Sequence, residues 1–97
     1  MNNPVIDPRD LRYVLFEILN IDSLTQFEKF ASFDHDTFEA TLDLIENIAV
    51  KECYPHFADA DRIGCSWDPA TGNVTIPDAV KKPLKAYYDA EFIGIVE

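Results

Sequence analysis

Cys53 and His56 stand three residues apart, close enough for a thiolate and an imidazole to share one helix face, and Cys65 follows soon after. Zinc takes such ligands, but a closed structural site needs four, and the other histidine, His35, is distant in the chain. Pro55, between the two, disturbs helical spacing as well. A Cys–His nucleophile pair would further require an orienting group and oxyanion donors, which no motif supplies. Cys53 fits an apolar stripe instead, where a free thiol packs as a small hydrophobe. Asp59-Ala60-Asp61-Arg62-Ile63-Gly64 has the form of the first half of a calcium loop, with carboxylates at positions one and three and glycine at six. Ile63 brings no side-chain oxygen to position five, and Ala70 stands where a bidentate Glu is needed at twelve. The stretch therefore reads as a solvated helix end closed by Gly64. No metal ligand, catalytic residue or cofactor-binding residue is assigned from these groups.

Ser23 raises a different chemistry. Asp22-Ser23-Leu24 matches the tripeptide that bears the phosphopantetheine arm in acyl carrier proteins, which are also small, acidic and helical. A carrier serine follows a long first helix and a long loop, whereas only Ile21 and Asp22 separate Ser23 from the end of the first expected helix. A serine at a helix start commonly satisfies a free backbone donor, and that is the reading preferred here. Trp67, Tyr87, Tyr88 and Phe92 offer aromatic surface for a pocket or for a core. Lys81, Lys82 and Lys85 gather basic charge at one end, as a solvated face or as a partner for an acidic patch or a phosphate. The three glycines are too widely spaced for a phosphate-binding loop.

These groups sit in a chain of 97 residues with 18 acidic and 8 basic side chains and a net charge of −10. The length suits one small domain with a modest core. The acidity argues against nucleic acid and against an anionic membrane surface as partners. No apolar run is long enough to cross a bilayer and the N-terminus is polar. Two cysteines make no disulfide framework, so a reduced, cytoplasmic setting is expected.

Asp7-Pro8-Arg9-Asp10 predicts a helix start, with Asp7 as cap and Pro8 in the first turn. Leu11, Val14, Leu15, Ile18 and Leu19 form its apolar face, and Asn20 its stop. Asp22 or Ser23 caps a short second helix that turns Leu24, Phe27 and Phe30 inward. Asp36-Thr37-Phe38-Glu39 has the form of a capping box. It opens the longest helix, whose buried stripe is Phe38, Leu42, Ile45, Ile48, Ala49, Cys53 and Phe57, with a kink or break at Pro55. A turn cluster at Pro69–Asn73 and the alternating Val74-Thr75-Ile76 predict a small two-stranded flap. Pro77-Asp78 opens a last helical stretch to about Ala90, with Pro83 in or near its first turn, or else with the helix beginning only at Pro83. Phe92, Ile93, Ile95 and Val96 then form an apolar ending, which suggests a chain cut from something longer. The fold class expected is all-α, short antiparallel or orthogonal helices with a β-turn flap near 65–77, in one helical domain over 1–97.

Asp7-Pro8-Arg9-Asp10-Leu11-Arg12-Tyr13-Val14-Leu15 with Glu17-Ile18-Leu19 resembles the N-terminal extension of a bacterial subfamily of acyl-CoA dehydrogenases, which reads like RDMRFxLxEVL. That subfamily includes the 3-methylmercaptopropionyl-CoA dehydrogenases. Tyr54-Pro55 and Asp61-Arg62-Ile63-Gly64-Cys65 are similar to the family's APLNxxGDxxGC. Val74-Thr75-Ile76-Pro77, Lys85-Ala86-Tyr87-Tyr88 and Phe92-Ile93-Gly94 continue the resemblance, the last where the family has a GWxG turn. Pro83, where the family continues a helix, and Ala90-Glu91-Phe92, which replaces a small residue and Trp, depart from it.

The resemblance implies a truncated N-terminal helical domain of a longer flavoenzyme, without catalytic activity of its own. The parent would oxidise acyl-CoA to 2-enoyl-CoA with FAD, using a middle β-domain, a C-terminal bundle and a glutamate base that lie outside residues 1–97. Its partners would be the remaining domains and subunits of the parent, and the isolated segment would self-associate. The alternatives are a small acidic helical interaction module, and an acyl-carrier-like protein modified at Ser23.

Overall fold

The computed structural model describes residues 3–92, so the apolar ending from Ile93 onward lies outside the described residues. The fold is all-α with one small β flap, as expected. The chain divides into two compact units, Met1–Asn47 and Ile48–Glu97.

In the first unit, α1 spans Pro8–Arg12 and passes into a π-helical turn, Tyr13–Ile18. Asp7 caps it, its side chain accepting from the N–H groups of Arg9 and Asp10, and Pro8 occupies the first turn. Both features match the sequence reading. The π-helical winding does not match it. The Leu19 N–H bonds to the carbonyl of Val14, five residues back, at 2.9 Å. The wider turn breaks the 3.6-residue repeat, so the predicted apolar face comes apart. Leu11 and Leu15 are half-buried, but Val14, Ile18 and Leu19 are exposed, and Phe16 is turned inward in their place. Asn20 ends the element in the left-handed conformation, at φ 51°.

The expected second helix forms as two short 3₁₀ segments, Ile21–Gln26 and Glu28–Phe30. Neither Asp22 nor Ser23 caps it, because the N-cap position belongs to Asn20. Of the three residues expected inward, Phe30 is half-buried, whereas Leu24 and Phe27 are exposed.

Helix α2, His35–Ile48, starts earlier than the capping box predicted. Asp34 caps it, accepting from the Thr37 N–H at 2.8 Å and from the Thr37 hydroxyl at 2.7 Å. Those hydrogen bonds favour the charged carboxylate and hold Asp34 below its ordinary pKa. Asp34 stands the right three residues before Thr37 to reach a first-turn donor, which makes Asp36 a helical residue and frees Glu39 for a longer-range contact.

In the second unit a π-helical turn, Ala49–Cys53, leads into α3, Tyr54–Ile63. Pro55 falls in the first turn of α3, where its missing donor is harmless. The expected break therefore takes the form of a π turn just ahead of the proline. Phe57, expected in the buried stripe, is 60% exposed. Gly64 closes α3 at φ 66°, ψ −175°.

Strands β1 (Ser66–Trp67) and β2 (Val74–Thr75) pair antiparallel, with Ser66 opposite Thr75 and Trp67 opposite Val74. Asp68 organises the loop between them, its side chain accepting from the Ala70 N–H and the Thr71 hydroxyl. Gly72, at φ 75°, supplies the left-handed turn.

Helix α4 spans Asp78–Asp89. Pro83 is its sixth residue, beyond the first turn, contrary to expectation. The helix tolerates it although the bond to the Ala79 carbonyl is lost. Among the described residues only Phe92 is a buried apolar side chain, at 5% exposure. It stacks on Tyr87 with ring centroids 5.8 Å apart, and its carbonyl accepts from the Tyr87 hydroxyl at 3.2 Å.

Candidate functional site

Two clefts stand out, one in each unit. The first, about 880 Å³ and open to solvent, is lined by Pro8, Arg12, Phe16, Glu39, Asp43 and Glu46 among others. Arg12, at the end of α1, is its organising residue. Glu39, Asp43 and Glu46 recur at helical spacing along α2, so their carboxylates line one face. Arg12 Nε donates to Glu39 at 2.8 Å and Nη2 to Asp43 at 2.7 Å. Nη1 donates to the Pro8 carbonyl at 3.2 Å and lies 3.7 Å from Glu46. The bond that Arg12 donates to Glu39 and the surrounding negative charge raise the Arg12 pKa further above its ordinary value.

The arrangement continues on both sides. Glu46 accepts from the Asn3 side chain at 3.1 Å. His35 stacks against Phe16 with centroids 4.5 Å apart and places Nδ1 3.0 Å from Asp22, while its Nε2 lies 3.9 Å from Glu39. Chemically this is a clamp. Each guanidinium nitrogen donates one hydrogen bond, two to carboxylates and one to a carbonyl, and among the described residues no nucleophile lines the cleft beside it. Sequence reasoning left Arg12 in a recognition motif and did not foresee its role. The available signal was the run Glu39, Asp43, Glu46, an acidic stripe that needs a cation.

The second cleft, about 380 Å³ and almost wholly apolar, is lined by Cys53, Phe57, Ala60, Val80, Pro83 and Tyr87 among others. It gathers some of the sequence candidates. Cys53 is half-buried there, packed as expected for an apolar thiol, while Cys65 is exposed. Tyr87 lines the cleft, but Tyr88 is exposed and Trp67, on the flap, is 67% exposed, so the four aromatics do not form one pocket.

Asp59 pairs with Arg62 at 3.3 Å, and both carboxylates of the supposed calcium half-loop belong to α3. Among the described residues no three His, Cys, Asp or Glu side chains cluster as metal ligands. Ser23 is exposed, but it is the third residue of a six-residue 3₁₀ segment, and its hydroxyl donates to the Asn20 carbonyl at 2.7 Å. Lys85 pairs with Asp89.

The FAD implied for a parent enzyme finds no matching donor set among the described residues. The larger cleft presents carboxylates, which oppose a pyrophosphate, and Gly64 and Gly72 stand in separate turns with no phosphate-binding loop. No described helix is long and apolar enough to cross a membrane.

No known family model matches the chain. It is 31% identical over 91 residues to a broad-specificity linear acyl-CoA dehydrogenase of Mycobacterium tuberculosis. The similarity covers 92% of this chain, which spans 15% of that protein's length. The chain is thus similar to one part of an acyl-CoA dehydrogenase, and the match does not single out the 3-methylmercaptopropionyl-CoA subfamily.

Proposed function

We propose that the chain is a non-catalytic N-terminal helical segment of an acyl-CoA dehydrogenase-like flavoprotein. The observation that carries this reading is the similarity along 92% of the chain to a segment of a much longer acyl-CoA dehydrogenase. The parent would convert acyl-CoA to 2-enoyl-CoA, with FAD as the electron acceptor held by its other domains. The segment's task would be to pack against those domains and subunits. In support, the described residues include twenty large apolar side chains left exposed, from Val5 to Tyr88, an amount that covering surfaces would remove from water. The motif matches at Arg9–Leu15 and Asp61–Cys65 favour the 3-methylmercaptopropionyl-CoA subfamily within the family. The unpaired Cys53 and Cys65 support a reducing, cytoplasmic location.

The test is made on the product of the complete gene. Removing residues 1–97 should leave FAD absorbance in the purified protein while lowering its thermal stability. Loss of flavin with full retention of stability would overturn the assignment of a packing role.

A further inference from the structure

We propose that His35 is a pH-sensitive latch that fastens the 3₁₀ arm of the first unit to the start of α2. This stands on the geometry of that unit and does not rest on the family reading. The arm is built from the two 3₁₀ segments Ile21–Gln26 and Glu28–Phe30, a winding with poor hydrogen-bond geometry that persists only in short pieces. Its other side-chain bonds are local. The Ser23 hydroxyl donates to the Asn20 carbonyl and the Thr25 hydroxyl to the Asp22 carbonyl. Among the described residues, the contact between Asp22 and His35 is the one side-chain hydrogen bond that ties the arm to another element.

The two nitrogens of His35 face two carboxylates on different elements. Nδ1 meets both oxygens of Asp22, at 3.0 and 3.2 Å, and Nε2 lies 3.9 Å from Oε1 of Glu39, one turn along α2. The other oxygen of Glu39 is held by Arg12 from α1. Phe16, in the π-helical turn, forms an uncharged wall, its ring tilted 54° to the imidazole. Asp34 and Asp36 flank His35 in the chain, and the His35 charge helps to lower the Asp34 pKa.

A neutral imidazole carries one proton and so has one donor. With Nδ1 donating to Asp22, Nε2 turns a lone pair toward the Glu39 carboxylate. The imidazolium donates from both nitrogens and draws Asp22 and Glu39 together. The positive end of α2 and the Arg12 guanidinium oppose that charge, but Arg12 is already engaged by Glu39 and Asp43, and the nearest charged group to the ring is Asp22. Imidazole changes charge between about pH 5 and 8. The latch is therefore closed at the acidic end of that range and loosens as the pH rises. Loosening frees an arm that carries the exposed Leu24 and Phe27.

The test is amide hydrogen exchange of the 97-residue chain at about pH 5 and about pH 8, corrected for the pH dependence of the chemical step. It is read at Ser23 and Phe27, whose N–H groups bond within the arm to the carbonyls of Asn20 and Leu24. Protection in the wild type should fall about threefold from the lower to the higher pH, the scale of a partly exposed ion pair. His35→Gln, which keeps a donor but takes no charge, should abolish that dependence, and Asp22→Asn should reduce it. His56 is retained in every variant, so its titration cancels in the comparison. Circular dichroism at both pH values confirms that each variant is folded. Wild-type protection that is constant or rises with pH, or a dependence that survives in folded His35→Gln or is undiminished in folded Asp22→Asn, would overturn the proposal.

Discussion

Arg12 Nε donates to Glu39 across 2.8 Å, joining the end of α1 to the first turns of α2 over 27 residues of chain. The guanidinium is 23% exposed and Glu39 32%, so this pair is better shielded from water than an ordinary surface bridge. Its loss leaves Glu39, Asp43 and Glu46 as like charges along one helix face. Arg12→Ala should lower the unfolding free energy by about 2 kcal/mol, the scale of a charged hydrogen bond removed from a partly buried acceptor. Arg12→Lys should recover only part of this, because one ammonium cannot meet two carboxylates and a carbonyl with a planar fork. Urea titration of the three proteins measures it, and a Lys variant equal to wild type would refute the fork geometry.

Asp34 gives a pH dependence with a definite sign. Its folded-state pKa is lowered by the bonds from Thr37, so its contribution to stability is present above the unfolded carboxylate range. It is lost as the pH falls through the folded value. Asp34→Asn keeps an N-cap but removes the titration. The variant should hold its stability more nearly constant on acidification than the wild type does. Denaturant titrations from neutral to acid pH, with identical slopes for the two proteins, would contradict this.

Gly64 isolates a backbone effect. Its φ of 66° and ψ of −175° lie in a region nearly restricted to glycine. A Cβ placed there meets no atom within 4 Å. Gly64→Ala should therefore cost about 1–3 kcal/mol through conformational strain alone. Thermal unfolding checks it, and an unchanged midpoint would contradict the assigned turn.

Pro83 predicts a gain. Replacing it with Ala restores a donor to the Ala79 carbonyl inside α4, so helical content should rise. Stability should improve by about 1 kcal/mol, part of the intrinsic advantage of Ala over Pro being offset by the smaller side chain in the apolar cleft. A loss of helicity by circular dichroism would refute the view that Pro83 is tolerated rather than required.

The sequence made some elements legible and others not, for identifiable reasons. The cap at Asp7, the stop at Asn20 and the turn around Gly72 rest on interactions within a few residues, and each appears as read. The flap followed from the alternation of Val74 and Thr75. The face of α1 was misread because a π-helical turn keeps the residue types of an α-helix while changing its period. The start of α2 was misplaced because Asp34 and Asp36 can both cap, and only the contact of Thr37 with Asp34 decides between them. Arg12 could not be assigned locally, since its carboxylates lie on another element. Ser23 shows the reverse case, a recognisable tripeptide whose hydroxyl is taken up by the carbonyl of Asn20.

The central claim is that this chain is a segment of an acyl-CoA dehydrogenase-like enzyme, and it is tested most directly by reading the encoding locus beyond the codon for Glu97. The account predicts that the frame continues into a β-domain and a helical bundle carrying a candidate glutamate base. A stop codon there, with no separately encoded partner supplying those domains, would contradict it.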